Sequence, residues 1–193
     1  MEMNNELKEI LNPAKTVLLI WDIQNRLVHN IFNTQSFLES NKNVISSAKK
    51  HNVQVVFSKI TPLPENFESP VRKYFFKNRF ASQQQVPNGL DLNIEPTGND
   101  IVIPKNTASM FIGTNFEMLL RNAGITTIAI TGIATEFGVE STARDASNRG
   151  FFPVIITDAV SSYNQEAHNR SLENIKSMSI QCSIGLSRTK LRQ

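Results

Sequence analysis

Residues 126–150 read TTIAITGIATEFGVESTARDASNRG, and this stretch decides the fold. Thr126 to Thr131 is apolar without alternation, which suits a strand buried on both faces. Gly132-Ile133-Ala134 then forms a turn. A helix follows from TEFGV onward, with Thr135 expected near its N-cap and Gly150 past its end. A buried strand turning directly into a helix is the repeating unit of a parallel α/β sheet.

The same unit recurs on both sides. Upstream, TVLLIWD (Thr16–Asp22) is a continuous apolar run closed by an acid. A helical face of Phe37, Leu38, Val44, Ile45 and Ala48 ends near His51-Asn52, and VQVVFS (53–58) follows as a strand. DIVIP (100–104) is a third strand, and TNFEMLLRNAG is a helix capped by Gly124. Downstream, FPVIITD (152–158) is a strand, residues 165–178 are helical, and 180–183 form a short last strand. The expectation is a three-layer α/β/α, Rossmann-like fold with a central, mostly parallel sheet of about six strands. Its 193 residues fit one domain.

One segment breaks the rhythm. Residues 60–99 hold Pro62, Pro64, Pro70, Pro87 and Pro96 and the aromatic-basic cluster RKYFFKNRFA. Such a stretch is expected to be a lid, a binding loop or an oligomer contact.

Bulk composition narrows the partners. Net charge is +3 with 19% charged residues. The pI near 9.1 hints at an anionic ligand. No zinc-finger spacing, basic zipper or RNP-type strand points to nucleic acid. The polar, acidic start MEMNNELKEILNPAK does not resemble a secretion signal, and no apolar run approaches the roughly 20 residues of a membrane helix. A cytoplasmic protein is expected. The single cysteine, Cys182, excludes an internal disulfide framework and is expected in the core.

In open α/β sheets, ligands bind beyond the carboxyl ends of the strands. The first strand ends in Asp22, with Gln24 and Asn25 just after it. The third ends in Pro104-Lys105 and the fourth in Gly132-Ile133-Ala134. An acid, a base and a helix N-terminus at three strand ends make a candidate site. Taken singly, Asp22 could cap a turn, Lys105 could be a solvated loop lysine, and the glycine could serve only a tight turn.

LLIWDIQN, VIPKNTASMFIGTNFEMLLRNAGITTIAITGIATEFGVESTARDA and VIITDAVSS together carry a resemblance. The chain resembles the isochorismatase-like cysteine hydrolase superfamily, which includes nicotinamidases and N-carbamoylsarcosine amidases. The resemblance implies an Asp-Lys-Cys triad whose acid is Asp22 and whose lysine is Lys105. Its cysteine position falls on Gly138. It also implies a non-proline cis peptide at Ile133–Ala134 and an oxyanion hole from the backbone N–H groups of Ala134 and Gly138. Substrate-binding roles are expected for Gln24, Ile133, Ala134, Thr135 and Arg79.

Glycine cannot form a covalent acyl-enzyme. Ser141 and Thr142 lie a helical turn or so beyond Gly138 and would not project at the same donors. The turn's amides and dipole would still hold an anion. Cysteine-less isochorismatases are the precedent within the superfamily: an Asp protonates an enol ether, water adds, and pyruvate leaves. Glycine at 138 is expected to open room for a bulkier substrate or a water. Arg72, Lys73, Lys77 and Arg79 are candidate cations for a small anionic substrate. The alternatives are a non-catalytic small-molecule-binding or scaffold member, and amide cleavage by an activated water. No histidine follows the second strand, and His29, His51 and His168 look like loop or helix-end residues. Neither a catalytic metal nor another cofactor is expected. The superfamily also implies a homo-oligomer, a dimer or larger.

Overall fold

Strand β1 (Thr16–Trp21) is buried along its whole length and runs through the middle of the sheet. The computed structural model describes residues 5–79 and 86–184. In these residues the strands are β1, β2 (Gln54–Ile60), β3 (Ile101–Lys105), β4 (Thr127–Ile133), β5 (Phe152–Ser161) and β6 (Ile180–Cys182). They lie side by side in the order β3-β2-β1-β4-β5-β6. Every neighbouring pair is parallel. In register, Leu18 of β1 faces Val55 on one side and Ala129 on the other.

Burial on both faces explains the unbroken apolar runs. Val17, Leu19 and Trp21 point into one layer, with Phe116, Leu120, Val139, Ala143 and Ile175. These come from α5 (Phe116–Asn122), the turn after β4, α6 (Glu140–Asn148) and α7 (Gln165–Ile175). Leu18 and Ile20 point into the other layer, against Phe37, Val44, Ile45 and Ala48 of α3 (Thr34–Lys50). Each such buried side chain contributes about 1.5–3 kcal/mol. Short helices α1 (Asn5–Ile10) and α2 (Asn25–Val28) flank β1 in sequence. Among the described residues no helix is long and apolar enough to cross a membrane.

The strand order reverses direction between β1 and β4. One half of the chain winds outward through β2 and β3, the other through β5 and β6. The loops leaving β1 and β4 therefore part from each other, and the crevice between them is where such sheets bind ligands.

The 60–99 segment contains a helix that the sequence pattern did not announce, α4 (Pro70–Arg79). Past it, the chain returns to the segment just after the carboxyl end of β1. Asn25 and Arg26 N–H groups donate to the carbonyls of Asp91 and Gly89, and Gln24 bridges antiparallel to Leu92. Cys182 is not in the core: β6 is the sheet's outermost strand, and the residue is exposed there.

Candidate active site

The reversal of strand order places three chain segments around one cavity of about 490 Å³. From β1 come Trp21 and Asp22, from β3 Lys105 with Asn106, Thr107 and Ala108 after it, and from β4 Ile133 and Ala134 with Phe137 and Gly138 beyond. Val71 and Arg72 of α4 and Arg26 close it from outside. The walls are largely apolar, which strengthens each electrostatic contact inside.

Asp22 is the first residue after β1 and is 2% exposed. Its φ of 44° lies in the left-handed region, an uncommon conformation for a residue with a side chain. The conformation is held on two sides. Asp22 N–H donates to Ser58 Oγ at 3.0 Å, and Gln24 N–H donates to the Asp22 carbonyl at 2.7 Å. Ser58 Oγ–H returns a bond to Asp22 Oδ1 at 2.6 Å. Lys105 Nζ donates to the other oxygen, Oδ2, also at 2.6 Å.

Lys105 is 4% exposed. Besides Asp22, its ammonium donates to the Thr107 carbonyl at 3.2 Å and sits 4.0 Å from the centroid of the Trp21 ring. Burial pushes the Asp22 carboxyl above its ordinary value, against the opposing pull of Lys105 and Ser58. Burial pushes Lys105 below its ordinary value, against the opposing pull of Asp22. The two groups thus hold protons as a coupled pair rather than as separate acid and base.

The turn after β4 begins with a cis peptide at Ile133–Ala134. It continues as one wide turn, Thr135–Val139, closed by Val139 N–H on the Ala134 carbonyl at 3.4 Å, and then tightens into α6. Gly138 is buried on this turn. The expected room beside it is already filled. A Cβ built on Gly138 would come within 1.8 Å of Trp21 Nε1 and 1.9 Å of Trp21 Cε2. The indole, not open space, occupies the volume that a side chain at 138 would need.

Several expected substrate contacts take other places. Ile133 and Ala134 line the cavity. Gln24 does not: its amide donates to the Ile60 and Leu90 carbonyls at 3.2 and 2.6 Å and accepts from Ile60 N–H at 2.9 Å. Its hydrogen bonds fasten the exit of β2 to the returning segment. Thr135 is not the helix cap, because the residue in the capping position is Ala134. Its hydroxyl contacts the Ser161 carbonyl at 3.1 Å and His168 Nδ1 at 2.8 Å, behind the turn. His168 lies in the first turn of α7, at the helix end as expected, but it is buried there. Arg72 lines the cavity, pairing with Glu68 at 3.2 Å and donating to the Asn106 carbonyl. Lys73 is exposed and does not line it. Lys77 and Arg79 belong to α4, but their side chains lie outside the described residues.

Sequence reasoning missed Ser58 and three residues that line the cavity, Trp21, Arg26 and Tyr163. Ser58 had a signal, since it closes the VQVVFS run at the strand end next to Asp22. Trp21 had one too, because a bulky ring directly before the acid needs an empty position opposite it. Among the described residues, no group of three or more His, Cys, Asp or Glu side chains could hold a metal ion.

Residues 16–184 match the model of the isochorismatase domain. An isochorismatase family protein of Bacillus subtilis is 31% identical over 167 residues, covering 83% of this chain and 85% of that protein. A ureidoacrylate amidohydrolase of Methylobacterium radiotolerans is 28% identical, covering 86% and 75%. A cysteine hydrolase from Pseudomonas syringae pv. phaseolicola superposes with a TM-score of 0.80 at 17% identity over 90% of each chain, a likeness of fold. The chain belongs to the isochorismatase family.

Proposed function

We propose that this isochorismatase-family chain is a hydrolase that works without a covalent thiol step, on the vinyl ether of a small anionic substrate such as isochorismate. The observation that carries the reading is the buried 2.6 Å pair of Lys105 and Asp22 facing a turn that presents Gly138 and no nucleophilic side chain. An enol ether needs a proton on carbon before it needs a nucleophile. Asp22, pushed toward its protonated form by burial, supplies that proton to the terminal methylene carbon. Water adds to the resulting oxocarbenium carbon and gives one proton back to the Asp22 carboxylate. The hemiketal then collapses, its hydroxyl proton passing to the ether oxygen as that C–O bond breaks, and pyruvate and a dihydroxy-cyclohexadiene carboxylate leave.

In this scheme Lys105 carries positive charge beside the carboxylate left on Asp22. The backbone N–H groups of Ala134 and Gly138 and the cations Arg26 and Arg72 attract the substrate's carboxylates. The protein acts, on this reading, as a cytoplasmic homo-oligomer with neither nucleic acid nor membrane as partner. The exposed Leu63, Phe67, Val71 and Tyr74, within or just before α4, support a subunit contact there.

A second reading is a non-catalytic small-molecule-binding protein. Trp21 favours it, because its indole fills the volume next to Gly138 and leaves an aromatic wall there. One assay separates the two. Pyruvate release from isochorismate is followed with purified protein and with Asp22→Asn, and ureidoacrylate serves as the amide comparison. Turnover that vanishes in Asp22→Asn supports vinyl-ether hydrolysis. No turnover of either compound, with ligand affinity equal in both proteins, supports the binding protein. Amide cleavage alone would sink both.

A further inference from the structure

We infer that Trp21 and Gly138 are a reciprocal pair, and that Trp21, on β1, is the residue that shuts a side-chain nucleophile out of this site. The inference goes beyond the vinyl-ether reading and does not depend on it.

Two glycines pack against residue 21, Gly132 against its backbone and Gly138 against its ring. Gly132 pairs with Trp21 across β1 and β4, and a Cβ on it would fall 2.0 Å from the Trp21 carbonyl oxygen. Its φ of 114° also disfavours any side chain. Gly138 lies further along, where the chain has turned back over the indole. There a Cβ would overlap Nε1, Cε2 and Cζ2, at 1.8, 1.9 and 2.3 Å. Such distances do not occur between real non-bonded atoms, so one partner must move. The neighbour in question is a large ring that is 2% exposed and packed in the core with Val139 and Ala143. Lys105 bears on the same ring, its ammonium lying 4.0 Å from the centroid and 2.6 Å from Asp22. Trp21 therefore also holds the cation of the pair in position.

It follows that a thiol cannot be restored to the turn by changing position 138 alone. Gly138→Cys forces the buried indole to move, whereas Trp21→Val/Gly138→Cys trades one volume for the other and sets the new sulfur beside Lys105. A thiol there, next to a cation and at the start of α6, ionises more readily than a free one.

The test is a double-mutant cycle on thermal stability, made in a Cys182→Ser background so that the new thiol is the only one. Gly138→Ala and Gly138→Cys should each lower Tm by roughly 5–10 °C, the size expected of overpacking in a chain of this length. Trp21→Val alone also lowers stability by emptying the ring's volume, and the two changes together should cost less than the sum of their separate losses. If the Gly138 variants do not fold alone, folding of the doubles supports the pair equally. In Trp21→Val/Gly138→Cys, iodoacetamide should alkylate the introduced thiol at least about tenfold faster at pH 7 than a free thiol. Full stability of Gly138→Cys with Trp21 in place would overturn the inference, as would additive losses in the cycle or failure of the doubles to fold. None of these readouts requires a substrate, so a negative pyruvate assay leaves them intact.

Discussion

Lys105 Nζ and Asp22 Oδ2 lie 2.6 Å apart, each side chain almost wholly removed from water. A pair in this setting is more informative about pH than about stability, because desolvation of both charges offsets much of their attraction. Breaking it from one side is different. Lys105→Met leaves Asp22 buried without its cation, and should cost about 3–5 kcal/mol at alkaline pH. Asp22 already has a raised pKa, and loss of Lys105 raises it further. A group of this kind contributes stability below its unfolded pKa and loses it as pH rises through the folded value. The destabilisation should therefore shrink as pH falls and Asp22 takes up a proton. Urea unfolding of the variant and the wild type at several pH values checks this, and a loss that did not vary with pH would contradict it.

Ser58→Ala acts on the same carboxyl from the other side. The serine hydroxyl donates to Asp22 Oδ1 and so favours the charged form. Without it the Asp22 pKa moves up again. If Asp22 is the catalytic acid, the active protonated form persists to higher pH, and the alkaline limb of the rate profile shifts upward. Stability falls as well, by about 1–3 kcal/mol, because Asp22 N–H loses its acceptor. A profile unmoved by Ser58→Ala would remove Asp22 from the role of acid.

Much of this arrangement is legible in the sequence. Continuous apolarity in TVLLIW and TTIAIT announced strands buried on both faces, and the alternation with helices announced the parallel sheet. Asp22, Lys105, Ile133 and Ala134 are placed by the strand ends and Gly138 by the family resemblance, and all five line one cavity. What periodicity could not convey was occupancy. Gly138 read as space, while the space belongs to Trp21 from another strand. Gln24 read as a substrate contact because it follows the acid, yet its hydrogen bonds go to backbone 36 and 66 residues away. Helix α4 is not legible because PVRKYFFKNR mixes aromatic and basic residues with no clean apolar stripe. Cys182 read as core because free cysteines usually are, but the strand carrying it turned out to be the sheet's edge.

His168 should make the fold sensitive to mild acid, independently of the cavity. Burial in α7 pushes its pKa down, with Glu136 pulling weakly the other way. The folded protein then binds fewer protons than the unfolded chain just below the ordinary histidine value. Stability is fully present above that value, about 6.5, and declines as pH falls through the folded pKa. The His168–Thr135 contact ties α7 to the turn, so loosening starts there. His168→Gln should flatten the dependence between neutral pH and about pH 5 in thermal unfolding. A variant that kept the wild-type slope would assign the acid sensitivity to other groups.

Gln24→Leu separates the two roles a residue next to the acid could have. The side chain is 1% exposed and makes three bonds to backbone, two to Ile60 and one to Leu90. Leucine matches its volume, so no large cavity opens, but one buried N–H and two carbonyls lose a partner. The expected loss is about 2–4 kcal/mol, below the sum of three separate penalties because Leu90 is exposed and its carbonyl can rehydrate. Ile60 lines the cavity while Leu90 belongs to the returning segment, so the segment 86–99 should also become more open to proteolysis. Urea denaturation and limited digestion measure both effects. A Gln24→Leu protein with unchanged stability and weakened ligand binding would instead make Gln24 a reader of substrate, and its backbone bonds incidental.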